Sequence, residues 1–271
     1  MTIELYPQII QAFKRSEAGQ SLSKIYRWSK FRGSSSEKRW KELLGASAND
    51  FSHGLLFYGI GKEFLKKETG RFSPEEQRTF LNGLICHDWG EAIIDGSSVG
   101  DVSAQVKNNR HEEEESKVVR KVLTSLDIDN QVKSELLNGY QEVVEGKNPK
   151  LHNAFKALEK TEYVLNAIKM YRNSTKRRGL NRNNLATPLV ARVLVIDMSK
   201  IIDKYIPEYP NSIGKMFWEN RALIDEMYQS TKPWLETTSE WLGEKIDHKA
   251  LGEDFFRKWS DFKVDFQTER R

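Results

Sequence analysis

The stretch SPEEQRTFLNGLICHDWGE, residues 73–91, indicates both the fold class and the place where the chemistry lies. Ser73 is a typical N-cap residue, Pro74 suits the first helical turn, and acidic residues follow at the positive end of the helix dipole. Apolar side chains then recur at helical spacing up to the dipeptide His87-Asp88. The stretch therefore predicts a helix that ends on a histidine and a carboxylate.

Helical periodicity continues along most of the chain, and no sustained alternation of apolar and polar residues predicts a strand. Further helices are predicted at 53–65, 112–126, 129–144, 153–171, from Thr187-Pro188 onward, and at 213–228, 233–246 and 251–262. The sequence thus predicts an all-α fold, a helical bundle with additional C-terminal helices. A basic polar loop at 173–184 predicts a division into a core with N-terminal helices, residues 1–184, and a C-terminal helical extension packed on it, residues 185–271.

The composition excludes several classes of protein. Hydrophobic residues make up 38% and charged residues 30% of the 271 residues, a balance typical of globular proteins. The net charge is only +4, so nucleic acid is not expected as a partner. A single cysteine, Cys86, excludes a disulfide framework and a cysteine zinc cluster. Neither a membrane-length apolar stretch nor a signal-peptide layout is present, and a cytoplasmic location without membrane contact is expected.

The dipeptide His87-Asp88 offers a nitrogen and an oxygen metal ligand at one point of the chain. His53 begins one predicted helix and His87 ends the next, so two antiparallel helices would bring them together. In a helical segment, Glu91 would share a face with His87 and Asp88. A later helix offers a last ligand at Glu159 or Glu162, and Glu159 adjoins the apolar Leu158. This pattern predicts a metal site suited to hydrolysis.

The order of these residues resembles the HD-domain metal-dependent phosphohydrolase superfamily, and most closely its 5′-deoxynucleotidase type. The motifs that carry the resemblance are Arg27-Trp28, His53, His87-Asp88-Trp89-Gly90-Glu91, Gly100-Asp101-Val102, and Lys107 before a glutamate-rich helix. The resemblance covers roughly residues 20–172. The chain departs from the family pattern in having Glu159 where an aspartate is usual, and in an apparent insertion that makes Asp95 an alternative to Asp101.

The resemblance implies a role for each of these residues. His53, His87, Asp88 and Glu159 would hold one divalent metal, and Glu91 and Asp101 would handle the attacking water and the leaving-group proton. Arg27 and Lys107 would bind phosphate, while Trp28 would pack on the sugar or base. Histidine and oxygen ligands suit Mn, Co, Fe, Ni or Zn, and Mg stays open.

The function implied is hydrolysis of a phosphate ester of a nucleotide, a (deoxy)nucleoside 5′-monophosphate first. A (deoxy)nucleoside triphosphate triphosphohydrolase and a cyclic-nucleotide phosphodiesterase are the enzyme alternatives. A non-catalytic module of the same fold that binds a nucleotide or a partner protein is the alternative outside enzymes. A homodimer is expected from the family analogy alone.

Overall fold

The computed structural model describes residues 6–28, 37–45, 48–94, 109–175, 179–181 and 184–268. Regular structure in these ranges is helical, with no strand, and the all-α prediction is confirmed. In the same ranges, no helix is both long and apolar enough to span a membrane.

The helices follow one another closely along the chain. In chain order they are α1 (Tyr6–Arg15), α2 (Glu17–Leu22), α3 (Glu37–Leu44), α4 (Asp50–Lys67), α5 (Pro74–Cys86), α6 (Asn109–Ser125), α7 (Asn130–Gly139), α8 (Pro149–Thr175), α9 (Ala186–Arg192), α10 (Ile206–Glu208), α11 (Lys215–Glu219), α12 (Arg221–Thr231), α13 (Leu235–Leu242) and α14 (His248–Thr268). Short 3₁₀ turns lie at Trp89–Glu91 and Lys232–Trp234, and π-helical turns at Tyr140–Val144, Val193–Met198, Ile201–Tyr205 and Pro210–Gly214.

Contacts divide the chain into two compact units. The first unit comprises residues 1–33 and 46–156, and the second comprises 34–45 and 157–271. The division therefore falls within α8, earlier than the boundary at 184/185 that the sequence suggests. The packing of residues 185–271 on a separate core stays a prediction.

The first unit has the helix starts that the sequence predicts. The Ser73 hydroxyl accepts a hydrogen bond from the Glu76 N–H at 3.1 Å, and the Glu76 carboxylate accepts one from the Ser73 N–H at 2.8 Å. This reciprocal capping box satisfies two N–H groups that have no partner inside the helix. Helix α4 begins in a related way, because the Asn49 side chain accepts a hydrogen bond from the Ser52 N–H at 2.8 Å.

Glycines allow α5 and α7 to approach closely. A Cβ added at Gly83 would lie 2.7 Å from the Gly139 carbonyl oxygen, and one added at Gly139 would lie 2.6 Å from the Gly83 nitrogen. Both distances are shorter than van der Waals contact with backbone, which cannot move aside as a flexible side chain would. The contact therefore requires glycine at both positions, and it fixes the helix whose C-terminal end carries His87.

The second unit is built around aromatic side chains of α14. Phe255, Trp259, Phe262 and Phe266 are buried along one face of this helix. The Trp259 indole N–H donates a hydrogen bond to the Asp225 carboxylate at 2.8 Å, so its polar atom is satisfied while the ring fills the core. Aromatic burial of this kind supplies much of the stability of a helical unit.

Gly139→Ala is expected to lower the free energy of unfolding by about 1–3 kcal/mol, because the new methyl group overpacks the contact between α5 and α7. Urea denaturation measures this change. The matched control is Gly59→Ala in α4, where an added Cβ has no neighbour within 4 Å. The control is expected to keep the stability or to raise it by up to about 1 kcal/mol. Equal losses in the two variants would contradict the close approach.

Candidate metal centre

A short backbone pairing precedes α4 and places Arg27 beside the start of that helix. The Arg27 N–H donates to the Ala48 carbonyl and the Asp50 N–H donates to the Ile25 carbonyl, both at 3.2 Å. These two bonds make an antiparallel bridge between Tyr26 and Asn49. The bridge brings the Arg27 side chain to the end of α4 that carries His53.

Helices α4 and α5 then bring two histidines together. His53 lies in the first turn of α4, and His87 directly follows the last residue of α5. The helices pack closely, since a Cβ added at Gly61 would lie 2.2 Å from the Leu84 side chain. The antiparallel arrangement places the start of α4 at the end of α5, as the sequence predicts.

Three ligand atoms converge at this point. The Nε2 atoms of His53 and His87 lie 3.1 Å apart. The Asp88 Oδ2 atom lies 3.1 Å from His87 Nε2 and 3.4 Å from His53 Nε2. All three ligand atoms lie within 4.8 Å of one another. Among the residues that the structure describes, this is the one cluster of histidine, cysteine or acidic side chains that is close enough to share a metal ion.

A backbone hydrogen bond defines which nitrogen of His87 faces the group. His87 Nδ1 lies 2.8 Å from the Leu84 carbonyl oxygen, which can only accept, so Nδ1 carries the proton. In a neutral imidazole, Nε2 then presents its lone pair to His53 and Asp88. Metal-binding histidines commonly donate their other N–H to a carbonyl in this way, which fixes the ring and its tautomer.

The distances fit a first-row divalent metal. Bonds of about 2.0–2.1 Å with tetrahedral angles place neighbouring ligand atoms roughly 3.3 Å apart, and octahedral angles place them roughly 3.0 Å apart. The three observed separations of 3.1, 3.1 and 3.4 Å lie in this range. Two imidazoles and one carboxylate leave further coordination positions for water or a substrate oxygen, as catalytic sites require.

The electrostatics favour the anionic form of Asp88. Burial alone would raise the pKa of its carboxyl group, but the adjacent His87, His53 and Arg27 side chains outweigh that effect and lower the pKa well below its usual range. Asp88 therefore carries its negative charge at neutral pH. This is the form in which a carboxylate binds a metal.

Aromatic side chains form the inner wall of the site. The Phe57 ring centroid lies 4.7 Å from that of His87 and 5.4 Å from that of His53. The Phe155 centroid lies 6.0 Å from that of His87 and 6.0 Å from that of Phe57. These contacts restrict the imidazole orientations and exclude water from behind them, which strengthens the binding of a cation on the open side.

A small pocket lies beside the three side chains. His87, Asp88 and Asp50 contribute its polar lining, and Phe13, Phe51 and Trp89 are among its apolar residues. The cavity volume is only about 10 Å³, which is room for about one water molecule. Residues of α1 and α4 thus form part of the wall of this pocket.

Glu91 does not lie on an α-helical face with His87 and Asp88. Helix α5 ends at Cys86, and Glu91 is in the 3₁₀ turn that follows, where its N–H donates to the Asp88 carbonyl at 3.0 Å. Gly90 allows this turn to pack closely against α6, because a Cβ at this position would lie 2.7 Å from the Glu115 Cβ. The α-helical spacing argument for Glu91 is wrong, while its role with the attacking water stays a prediction.

The other sequence-predicted residues are placed differently. Trp28 is half-buried next to Arg27 and has a left-handed backbone with φ of 54°. Asp101, its alternative Asp95, and Lys107 lie outside the described residues. Their roles therefore stay predictions.

Both candidates for the last ligand belong to the second unit. The Glu162 side chain is buried and accepts a hydrogen bond from the Asn166 amide. Glu159 is half-buried, and its charge acts on Asp197 and Tyr205 in the same unit. The role of Glu159 as a metal ligand stays a prediction.

Two residues of the site were not predicted from the sequence. Asp50 is buried and Phe57 packs on both imidazoles. Asp50 directly follows the N-cap Asn49. In the sequence it therefore looks like an ordinary acidic residue at a helix start. Phe57 lies one helical turn after His53, and this spacing is the signal that would have identified it.

Comparison with known proteins gives no relative. No protein-family model, no curated protein and no solved structure matches this chain. The interpretation of the site therefore rests on its own geometry and on the motif residues.

Mn²⁺, Co²⁺, Ni²⁺ or Zn²⁺ is expected to raise the stability of the protein, by about 2.7 kcal/mol at a free concentration 100 times the dissociation constant. His87→Ala is expected to lose this gain, because one of three converging ligands is removed. His111→Ala is the control, since His111 in α6 is not in the ligand group, and it should keep the gain. Thermal unfolding with and without metal measures the effect, and an undiminished gain in His87→Ala would rule out the assignment.

A second prediction concerns the pH dependence of stability and rests on Asp197, which is close enough to Glu159 to feel its charge. Burial raises the pKa of Asp197 despite Lys160 Nζ at 3.1 Å and Arg192 Nη1 at 3.5 Å. A raised pKa in the folded state means that protonation favours folding. This contribution to stability is complete below the ordinary carboxyl pKa and is lost as the pH rises through the raised value.

The stability difference, the free energy of unfolding of the wild type minus that of Asp197→Asn, should therefore decrease as the pH rises above the ordinary carboxyl pKa of about 4. Asp254→Asn is a control of opposite sign. Hydrogen bonds from Lys258 and Arg257 lower the pKa of Asp254, so its contribution is lost as the pH falls. Denaturant titrations above about pH 4 test the sign for Asp197→Asn, and titrations below about pH 4 test the opposite sign for Asp254→Asn. An increase for Asp197→Asn would contradict the burial effect.

Proposed function

We propose that this protein is a metal-dependent phosphohydrolase that cleaves a phosphate ester of a nucleotide, with (deoxy)nucleoside 5′-monophosphates as its first substrate class. The observation that carries the proposal is the convergence of His53 Nε2, His87 Nε2 and Asp88 Oδ2 in one group, in which His53 is buried and the other two residues are half-buried. The resemblance of the surrounding motifs to HD-domain phosphohydrolases supports the choice of reaction and of substrate.

The three side chains have the chemistry to hold a divalent cation. When bound, the cation would lower the pKa of a coordinated water towards about 7 and would neutralise a phosphate oxygen. His87 is held in the required tautomer by the Leu84 carbonyl, and the side chains around Asp88 keep it in its anionic form. Both conditions favour metal binding at neutral pH.

The chain offers further groups for the proton and for the phosphate. Glu91, three residues after Asp88, is proposed to orient the water and to accept its proton. Arg27, which lies 3.4 Å from Asp88, is proposed to meet an anionic group bound next to the metal. Asp101, Lys107 and Trp28 keep the roles that the resemblance implies, with Glu159 as the proposed last ligand.

The proposal is tested by phosphate release from a panel of nucleotides with each metal in turn. Glu91→Gln is expected to lower kcat by about 10²–10⁴-fold, because the proton acceptor is lost. Metal affinity should be nearly unchanged, because Glu91 is not in the ligand group. Asp88→Ala should lose both activity and metal binding. Glu75→Gln, an exposed acid in the first turn of α5, is the matched control and should keep both.

The products distinguish the alternatives. Free phosphate from a 5′-monophosphate supports the first proposal, inorganic triphosphate from a triphosphate indicates a triphosphohydrolase, and ring opening of a cyclic nucleotide indicates a phosphodiesterase. A nucleotide that binds but is not cleaved with any metal indicates the non-catalytic module and overturns the enzyme proposal. The homodimer that the family analogy implies is checked by sedimentation velocity.

A further inference from the structure

Arg27 lies between two carboxylates at the edge of the metal group. Its Nη1 atom lies 3.4 Å from Asp88 Oδ2 and 3.9 Å from Asp50 Oδ1. All three side chains are shielded from solvent, with 12%, 13% and 1% of the Arg27, Asp88 and Asp50 side chains exposed. The same guanidinium nitrogen thus has two anionic neighbours, and only one of them belongs to the ligand group.

The contact with Asp88 uses the oxygen that faces both histidines. Asp88 Oδ2 lies 3.1 Å from His87 Nε2, 3.4 Å from His53 Nε2 and 3.4 Å from Arg27 Nη1. A divalent cation held by the two imidazoles and this oxygen would lie within a few ångströms of the guanidinium charge. Because shielding from water weakens the screening of charges, the two cations would oppose each other strongly.

Asp50 offers the guanidinium a position away from this oxygen. It is the first residue of α4, three residues before His53, and its backbone is held by the hydrogen bond to Ile25. The backbone of Arg27 is held by the same bridge through Ala48. The backbone bridge therefore holds the two residues next to each other, and Arg27 Nη1 lies within 4 Å of both carboxylates.

We propose that Arg27 acts as a built-in counter-cation that competes with the divalent metal for Asp88, and that Asp50 favours metal binding by holding Arg27 away from it. The inference rests on the proposed metal site and adds two positioning residues that set its affinity. A purely structural role of Arg27, orienting Asp88 for the metal, predicts the opposite change when the charge is removed.

The test is the affinity for Mn²⁺ and Co²⁺, each added alone, measured by isothermal titration calorimetry on the full chain. Arg27→Met keeps the aliphatic stem without the charge and is expected to bind the metal at least about five-fold more tightly. Asp50→Asn is expected to bind it at least about five-fold more weakly, because Asp50 then no longer draws the Arg27 charge away from Asp88.

The double variant separates an indirect role of Asp50 from a direct one. If Asp50 acts through Arg27, Asp50→Asn combined with Arg27→Met should bind the metal as tightly as Arg27→Met alone, which makes the two changes non-additive. If Asp50 attracts the metal through its own charge, the double variant binds more weakly than Arg27→Met, and the proposed role of Asp50 is overturned.

Matched controls separate these effects from general changes of charge. Arg78→Met and Glu75→Gln remove exposed charges from α5 and should leave the affinity within about two-fold of the wild type. Arg27→Lys keeps the positive charge and is expected to remain closer to the wild type than Arg27→Met. Circular dichroism confirms that each variant is folded.

The outcomes distinguish this inference from the function on which it rests. A wild-type protein that binds none of the metals overturns the metal site and the inference together. A wild-type protein that binds metal, with Arg27→Met weaker or unchanged, overturns the inference alone and leaves the site intact.

Discussion

The proposed site depends on three potential metal-binding atoms that the fold holds close together. His53 Nε2, His87 Nε2 and Asp88 Oδ2 lie 3.1–3.4 Å apart in a site walled by Phe57 and Phe155. Such an arrangement needs a proton or a cation between the atoms, because burial removes the water that would otherwise screen them. The helices impose this proximity, and the metal chemistry proposed for the protein follows from it.

The helix packing of the first unit serves that geometry. Gly83 and Gly139 let α5 and α7 meet backbone to backbone, and Gly61 lets α4 pack closely on the Leu84 side chain of α5. Helix positions fixed by backbone contact vary less than positions fixed by flexible side chains. The end of α5 is thereby placed at the start of α4, and the bridge between Tyr26 and Asn49 adds Arg27 and Asp50 to the same place.

Local sequence signals predicted the parts of the structure that depend on neighbouring residues. The capping box at Ser73, the all-α class and the approach of His53 to His87 all follow from spacing and helix order. The predicted helix at 213–228 shows the limit, because Asn220 interrupts it and its side chain donates a hydrogen bond to the Met216 carbonyl. Polar side chains that bond to the backbone end helices in ways that hydrophobic periodicity does not reveal.

Contacts between residues that are distant in sequence cannot be predicted from local patterns. The pairing of Arg27 with Asp50 depends on a two-residue bridge, and the turn at Glu91 depends on the packing of Gly90 against Glu115. Neither leaves a periodic pattern in the chain. The sequence motifs predict His53, His87 and Asp88 as ligands. They do not predict the side chains around these ligands, which control the charge of Asp88.

Anomalous diffraction from crystals grown with Mn²⁺, Co²⁺ or Zn²⁺ tests the central claim most directly. We predict one strong peak at the metal edge, about 2.0–2.3 Å from His53 Nε2, His87 Nε2 and an oxygen of Asp88. A map without a peak at this position, or with the metal bound only elsewhere on the protein, would contradict it.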